Sequence, residues 1–148
     1  MKILKIQALR GPNIWSVQRK KLIQMRLDLE EMEQFPTNKI EGFRERIEAM
    51  FPTMIEHRCS EGCRGGFFSR VERGTWMGHV IEHIALEIQT LAGMETGFGR
   101  TRETKTPGVY NVVFSYTEEN VGLFAGESAV AIAESLIAGT EYDVEADI

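Results

Sequence analysis

The stretch from Thr75 to Gln89 leaves this chain the least freedom. Met77, Ile81, Ile84, Ala85, Ile88 and Leu91 recur at spacings of three and four, the pattern of an α-helix with one apolar stripe. Such a stripe has to be buried to build a core. Thr75 reads as the N-cap and Gly93 as the C-terminal stop. His79, Glu82, His83, Leu86, Glu87 and Thr90 form a second, more polar stripe. Within it, His79-Val80-Ile81-Glu82-His83 is an H-x-x-E-H pattern, the inverted form of the zinc-peptidase signature. Residues i and i+4 share a helix face about one turn apart, so two imidazoles so placed can bind one divalent metal, expected to be zinc. Glu82, on the same side, is placed to accept a proton from water and act as the base. The competing reading of the same five residues is an ordinary polar face with Glu82 paired to a histidine.

The chain has 148 residues, enough for one domain with a real core. Its net charge of -5 argues against a general nucleic-acid role, which carries a basic footprint. Arginines nevertheless cluster around the central helix: Arg64, Arg70, Arg73, Arg100 and Arg102. No apolar run is expected to reach the ~20 residues that span a bilayer. Met1-Lys2-Ile3-Leu4-Lys5-Ile6 is too short and too alternating for a signal peptide. The expectation is a cytoplasmic protein with no membrane partner, in which Cys59 and Cys63 are thiols or metal ligands and not a disulfide.

Lys2 to Leu9 alternates and reads as a strand, and Arg10-Gly11-Pro12-Asn13 as a turn. Lys21 to Leu29 reads as a second strand, with a helix as the competing reading because Leu22, Met25 and Leu29 also fit a period of 3.6. Glu30 to Asn38 reads as a loop. Ile40, Phe43, Ile47, Met50 and Phe51 make an amphipathic helix stopped before Pro52. The glycines from Gly62 to Gly66 read as a loop able to pass close to another group, and Ser69 to Arg73 as a helical turn. Met94 to Thr104 and Val109 to Tyr116 flank the turn at Lys105-Thr106-Pro107-Gly108 and read as a hairpin. A last helix starts at Thr117-Glu118-Glu119 and is ended by Gly139. The acidic tail from about 140 is expected to be partly extended. Neither Gly97-Phe98-Gly99 nor Gly62 to Gly66 carries a nucleotide or phosphate-loop fingerprint. Trp15, Trp76, Phe67, Phe68 and Phe98 are expected in the core. The whole reads as a single α+β domain over 1–148, a two-layer sandwich of a mostly antiparallel sheet of about four strands on about three helices.

A hydrolytic metal site needs a third protein ligand and an open position. The candidates are Cys59, Cys63, His57 and Glu87; Cys59 is favoured, with Cys63 second, because a thiolate is a good zinc ligand on a loop whose glycines allow close approach. Were both cysteines to bind, the site would be closed and structural. Arg70, Arg73, Arg100 and Arg102 are candidates to hold substrate carboxylates in bidentate fashion.

Lys2 to Gln7, Leu9 to Asn13, Met25 to Glu30, Cys59, Arg64-Gly65-Gly66-Phe67, Gly74 to His79, Gly97 to Thr104 and Pro107 to Val113, taken in order, resemble the N-terminal domain of cyanophycin synthetase. The resemblance runs to about Gly139. It implies an isolated N-terminal domain of a multidomain ligase that makes a polymer with an aspartate backbone and arginine on the β-carboxyls. The ATP-grasp and Mur-ligase-like domains that add aspartate and arginine, with their ATP and Mg2+, have no counterpart in the chain. It further implies a cytoplasmic homo-oligomer as the full-length enzyme, and an N-terminal domain that holds the growing polymer. In some members that domain carries a metal-dependent hydrolase site that cuts polymer into primers. His79, Glu82 and His83 match that site as ligand, base and ligand, and Cys59 matches the third ligand. Cys63 has no assigned counterpart.

Overall fold

The computed structural model describes residues 1–11, 13–15, 21–58 and 62–147. Four strands, β1 (Lys2–Arg10), β2 (Lys21–Asp28), β3 (Gly99–Glu103) and β4 (Val109–Ser115), form one sheet in the order β1-β2-β4-β3. Every neighbouring pair is antiparallel. The helices are α1 (Phe43–Met50), α2 (Gly66–Arg73), α3 (Met77–Leu91), α4 (Glu119–Ala138) and the short α5 (Val144–Asp147). This is the expected α+β sandwich.

Alternation along the strands decides which face is covered. Ile23, Met25 and Leu27 of β2 and Val112 and Phe114 of β4 are fully buried and belong to the same core as Ile81, Ile84 and Ala85 of α3 and Ala125, Ala129 and Ile132 of α4. The opposite parity carries Gln7, Gln24, Arg26 and Asn111, and Gln7 Nε2 donates to Gln24 Oε1 at 2.9 Å. Leu22 and Val113 share that parity and are buried all the same. The β2 segment is therefore a strand, because its period-two pattern meets partners on both sides.

Packing also explains where the structure departs from local expectation. The helix after the glycines is longer than one turn: Gly65, at φ 82°, caps α2, and Phe67, Phe68 and Val71 drive it into the core. The segment Glu30 to Asn38 holds two 3-10 turns, Glu30–Gln34 and Thr37–Lys39. Thr37 is buried there, accepts from Thr75 N at 3.0 Å and donates to Val71 O at 2.6 Å, which pins the junction of α2 and α3. The acidic tail is helical over α5 where partial extension was expected, with Tyr142 and Val144 packed on the core. Leu91, assigned to the apolar stripe of α3, ends the helix 42% exposed.

Contrary to the expectation for apolar runs, α4 has the length and composition to cross a membrane, with 20 residues and a mean hydropathy of 1.5. Its apolarity comes from Val121, Leu123, Phe124, Val130, Ile132, Leu136 and Ile137 together with alanines, and over half of it is buried against the rest of the domain, as in a core helix. A Cβ at Gly122 would stand 2.7 Å from Tyr116 Cβ and 3.1 Å from Ile23 Cγ1. Gly122→Ala should therefore destabilise the domain by about 1–3 kcal/mol through overpacking, although helix propensity alone would stabilise it by up to about 1 kcal/mol. Urea denaturation reads the sign, and a stabilised variant would contradict this close packing.

Candidate metal centre

Helix α3 carries the site. Its dihedral period sets His79, Glu82 and His83 along one side, and their donor atoms all lie within 4.8 Å of one another. Two imidazoles and a carboxylate in that space are a donor set suited to one zinc-like cation. The polar stripe is not a solvated face. Glu82, His83 and Glu87 are buried, and only His79 of the three donors is partly open.

The burial has a cause in β3. A Cβ at Gly99 would stand 2.6 Å from Glu82 Oε2, and one at Gly78 would stand 3.0 Å from Thr101 Cγ2. The glycines let the helix and the edge strand come together over the carboxylate. Thr101 Oγ1 then donates to Glu82 Oε1 at 2.8 Å and stands 3.3 Å from Gly78 O. From the other side, Phe67 of α2 stacks on the His83 ring with centroids 4.4 Å apart and meets the His79 ring edge-on at 5.8 Å.

This environment changes every titration. Burial, and then the charge of Arg70, push His79 down to about 4. Burial, and then the neighbouring His79 and His57, hold His83 well below the ordinary imidazole range. Burial pushes Glu82 up to about 7, against the Thr101 hydrogen bond and the charge of Arg102. Burial would also raise Glu87, but hydrogen bonds from His57 and Thr53 outweigh it and leave Glu87 below the usual carboxylate value. Both imidazoles of α3 are thus neutral near pH 7, as ligands must be, and Glu82 sits where a general base works best.

Of the four candidates for a third ligand, the structure brings two to the site. His57 Nδ1 lies 2.8 Å from His83 Nδ1, and His57 Nε2 lies 2.7 Å from Glu87 Oε2. Cys63 is exposed and belongs to no donor cluster among the described residues. The reason is loop closure: Gly65 N bonds Ile55 O, Phe67 N bonds His57 O and Gly66 N bonds Cys63 O, so Cys63 sits in the outer turn. Cys59 lies outside the described residues.

The site opens on a cleft of about 1040 Å³ whose lining includes Arg58, Arg70, Arg100, Arg102, Trp76 and Tyr110. Arg70 Nε is buried and has no hydrogen-bond partner among the described residues. Arg100 Nη1 donates to Trp15 O at 3.4 Å. Arg73 is exposed and is not in the lining, because it ends α2 beside Asn38, which binds its carbonyl. Trp76, expected in the core, is 41% exposed on the cleft wall as the N-cap of α3. Thr75 is one residue too early to cap, and its hydroxyl instead lies 3.0 Å from His79 Nδ1. Sequence reasoning missed Arg58, Thr53, Thr75 as a histidine partner, Thr101 and the stacking role of Phe67. Thr75 stands four residues before His79 and so has a helical spacing to it, whereas the others reach the site from segments remote from α3 along the chain.

The family model described as the cyanophycin synthase-like N-terminal domain matches residues 24–138. A cyanophycin synthetase of Geminocystis herdmanii is 57% identical over 145 residues, which is 98% of this chain and 17% of that protein. That of Synechocystis sp. is 56% identical over 144 residues, 97% of this chain and 16% of the relative. That of Crocosphaera subtropica is 54% identical over 145 residues, 98% and 17% respectively. The chain spans about 17% of the length of the curated relatives it matches.

The altered titrations fix a pH dependence. His79 and His83 titrate below 6.5 in the folded state, so the unfolded chain takes up protons first as the pH falls, and stability drains away from pH 6.5 toward 4. Glu82 has the opposite sign: its folded value near 7 exceeds the ordinary 4.5, so its burial costs nothing at low pH and progressively more as the pH rises between those values. Removing Glu82 as a titrating group in Glu82→Gln should therefore steepen the rise of metal-free stability with pH between 4.5 and 6.5. Urea midpoints across that range check it, and a shallower rise would contradict the burial assigned to this carboxylate.

Proposed function

The chain belongs to the cyanophycin synthase-like N-terminal domain family, and on that premise we propose that it binds the aspartate–arginine polymer and hydrolyses it, supplying primers for cyanophycin synthesis. The observation that carries this reading is Glu82, buried beside two neutral imidazoles on the wall of a large arginine-lined cleft. His79 and His83 would hold a zinc ion, with Cys59 as the proposed third ligand and Cys63 set aside by its exposure. When bound, such an ion supplies Lewis acidity to the scissile carbonyl and to the attacking water.

The rest of the mechanism belongs to the chain's own groups. Glu82 takes a proton from the attacking water at the oxygen not held by Thr101 and passes it to the leaving amine. Thr101 fixes the carboxylate, so the base does not have to be ordered at the moment of reaction. Arg70, Arg100 and Arg102 receive carboxylates of the polymer, with Arg70 Nε already desolvated and in want of an acceptor. The ATP- and Mg2+-dependent ligation is assigned to the remaining domains of longer family members, in a cytoplasmic homo-oligomer.

A second reading is a domain that holds polymer without cutting it. The arginine lining favours it, because that feature needs no metal. Incubating the purified domain with cyanophycin, with and without chelator, separates the two. Hydrolysis predicts new chain ends that disappear with chelator. Glu82→Gln should lose about 10²- to 10⁴-fold in cleavage rate while keeping its zinc, measured by metal analysis. Polymer left intact at high protein concentration would leave only the holding role. Arg102→Ala should weaken polymer retention in either case, by a sedimentation assay, since its guanidinium lines the cleft.

A further inference from the structure

We propose that Glu87 and His57 form a fixed hydrogen-bond relay that sets the tautomer of His83, so that Nε2 of His83 is the nitrogen presented to a divalent cation. The inference rests on the metal-centre reading above and gives a role to two residues that the sequence offered only as possible ligands.

The protons shared among the three groups can be counted. Two ring nitrogens at 2.8 Å must share one proton, because either two lone pairs or two N–H groups would repel. His57 Nδ1 and His83 Nδ1 are such a pair. The direction is decided at the far side of His57. Its Nε2 meets Glu87 Oε2 at 2.7 Å, and an ionised carboxylate can only accept. Thr53 donates to the other oxygen of Glu87 and keeps that carboxylate in place. His57 therefore carries its proton at Nε2, and its Nδ1 offers a lone pair. His83 has to carry its proton at Nδ1, which leaves the lone pair at Nε2. That nitrogen lies 3.7 Å from Oε2 of Glu82, the residue that clusters with His79 and His83.

An imidazolium at His57 would reverse the arrangement and put a proton on Nε2 of His83, where it would block a cation. The ring planes are held as well: Phe67 stacks on His83 with 28° between planes. Glu87 stands four residues after His83 on α3, yet acts on it only through a ring supplied by His57, at the end of the 3-10 turn Pro52–Glu56. The relay thus ties the ligand helix to a separate segment, the arrangement by which metal-binding histidines are usually oriented.

The chain has only three histidines, so long-range proton–nitrogen spectra of the 15N-labelled, metal-free domain can resolve every ring, with His57→Gln and His79→Gln for assignment. The expected result is His57 protonated at Nε2 and His83 at Nδ1. Glu87→Ala should weaken zinc binding about 10- to 100-fold, measured by competition with a chromophoric chelator. Its cobalt-substituted form should keep the parent absorption spectrum at saturating metal, because no ligand has been lost. Thr53→Val should act in the same direction with a smaller loss, and serves if Glu87→Ala does not fold. A His83 ring protonated at Nε2, a doubly protonated His57, an unchanged zinc affinity or an altered cobalt spectrum would each overturn the relay. A domain that meets the expected results without shortening polymer removes the hydrolase reading and leaves this one in place.

Discussion

The close approach of α3 to the edge strand β3 is the constraint on which the rest of the structure depends. It exists because Gly78 and Gly99 present no side chain where the two elements meet. With the strand laid over it, the stripe of α3 bearing Glu82 is largely withdrawn from water and meets it at the cleft, and most of the helix is buried on both of its faces. The apolar face makes the core against β2, β4 and α4. The polar face needs a partner for each of its groups, since an unpaired buried polar group costs more than the bond it forgoes. Thr101 serves Glu82, Thr75 serves His79, and His57 with Thr53 serves Glu87.

The proposed chemistry depends on that burial. The same carboxylate on a solvated helix would be ionised and weakly basic at neutral pH, and the same imidazoles would be partly protonated. Desolvation moves the acid up and the bases down, which leaves the imidazoles neutral and makes the carboxylate more basic, as the proposed metal-assisted hydrolysis would require. The domain accepts a standing loss of stability to keep them there, a frequent trade at functional sites. The arginines of the cleft rim sit on elements as far apart as α2 and β3, so their convergence depends on the same packing.

Much of the fold was legible along the chain. The first two strands could be read from their period-two patterning, β4 from its β-branched and aromatic residues, β3 as the other arm of the turn at 105–108, and the last helix from its stop at Gly139, which is left-handed at φ 74°. The H-x-x-E-H donors are legible for a local reason too: helical periodicity is a property of neighbours. What was misread depended on distant partners. The length of α2 came from where Phe67, Phe68 and Val71 were buried, not from the glycines before it. Thr75 left the capping position for a histidine. Trp76 went to the cleft and Arg73 to solvent, and no composition or spacing distinguishes either from its neighbours.

The sequence by itself determined that one helix would carry two histidines and a glutamate on one side and a core-forming stripe on another, because the period of an α-helix turns spacing directly into facing. Family membership is likewise written in the order of its residues. Only the tertiary structure decided that the polar side would be buried, that Glu82 would lie under a strand twenty residues away, and that His57 would come between Glu87 and His83. Those outcomes depend on which elements pack against α3 and how closely, and packing distance is set by side chains that are remote along the chain and adjacent only in space.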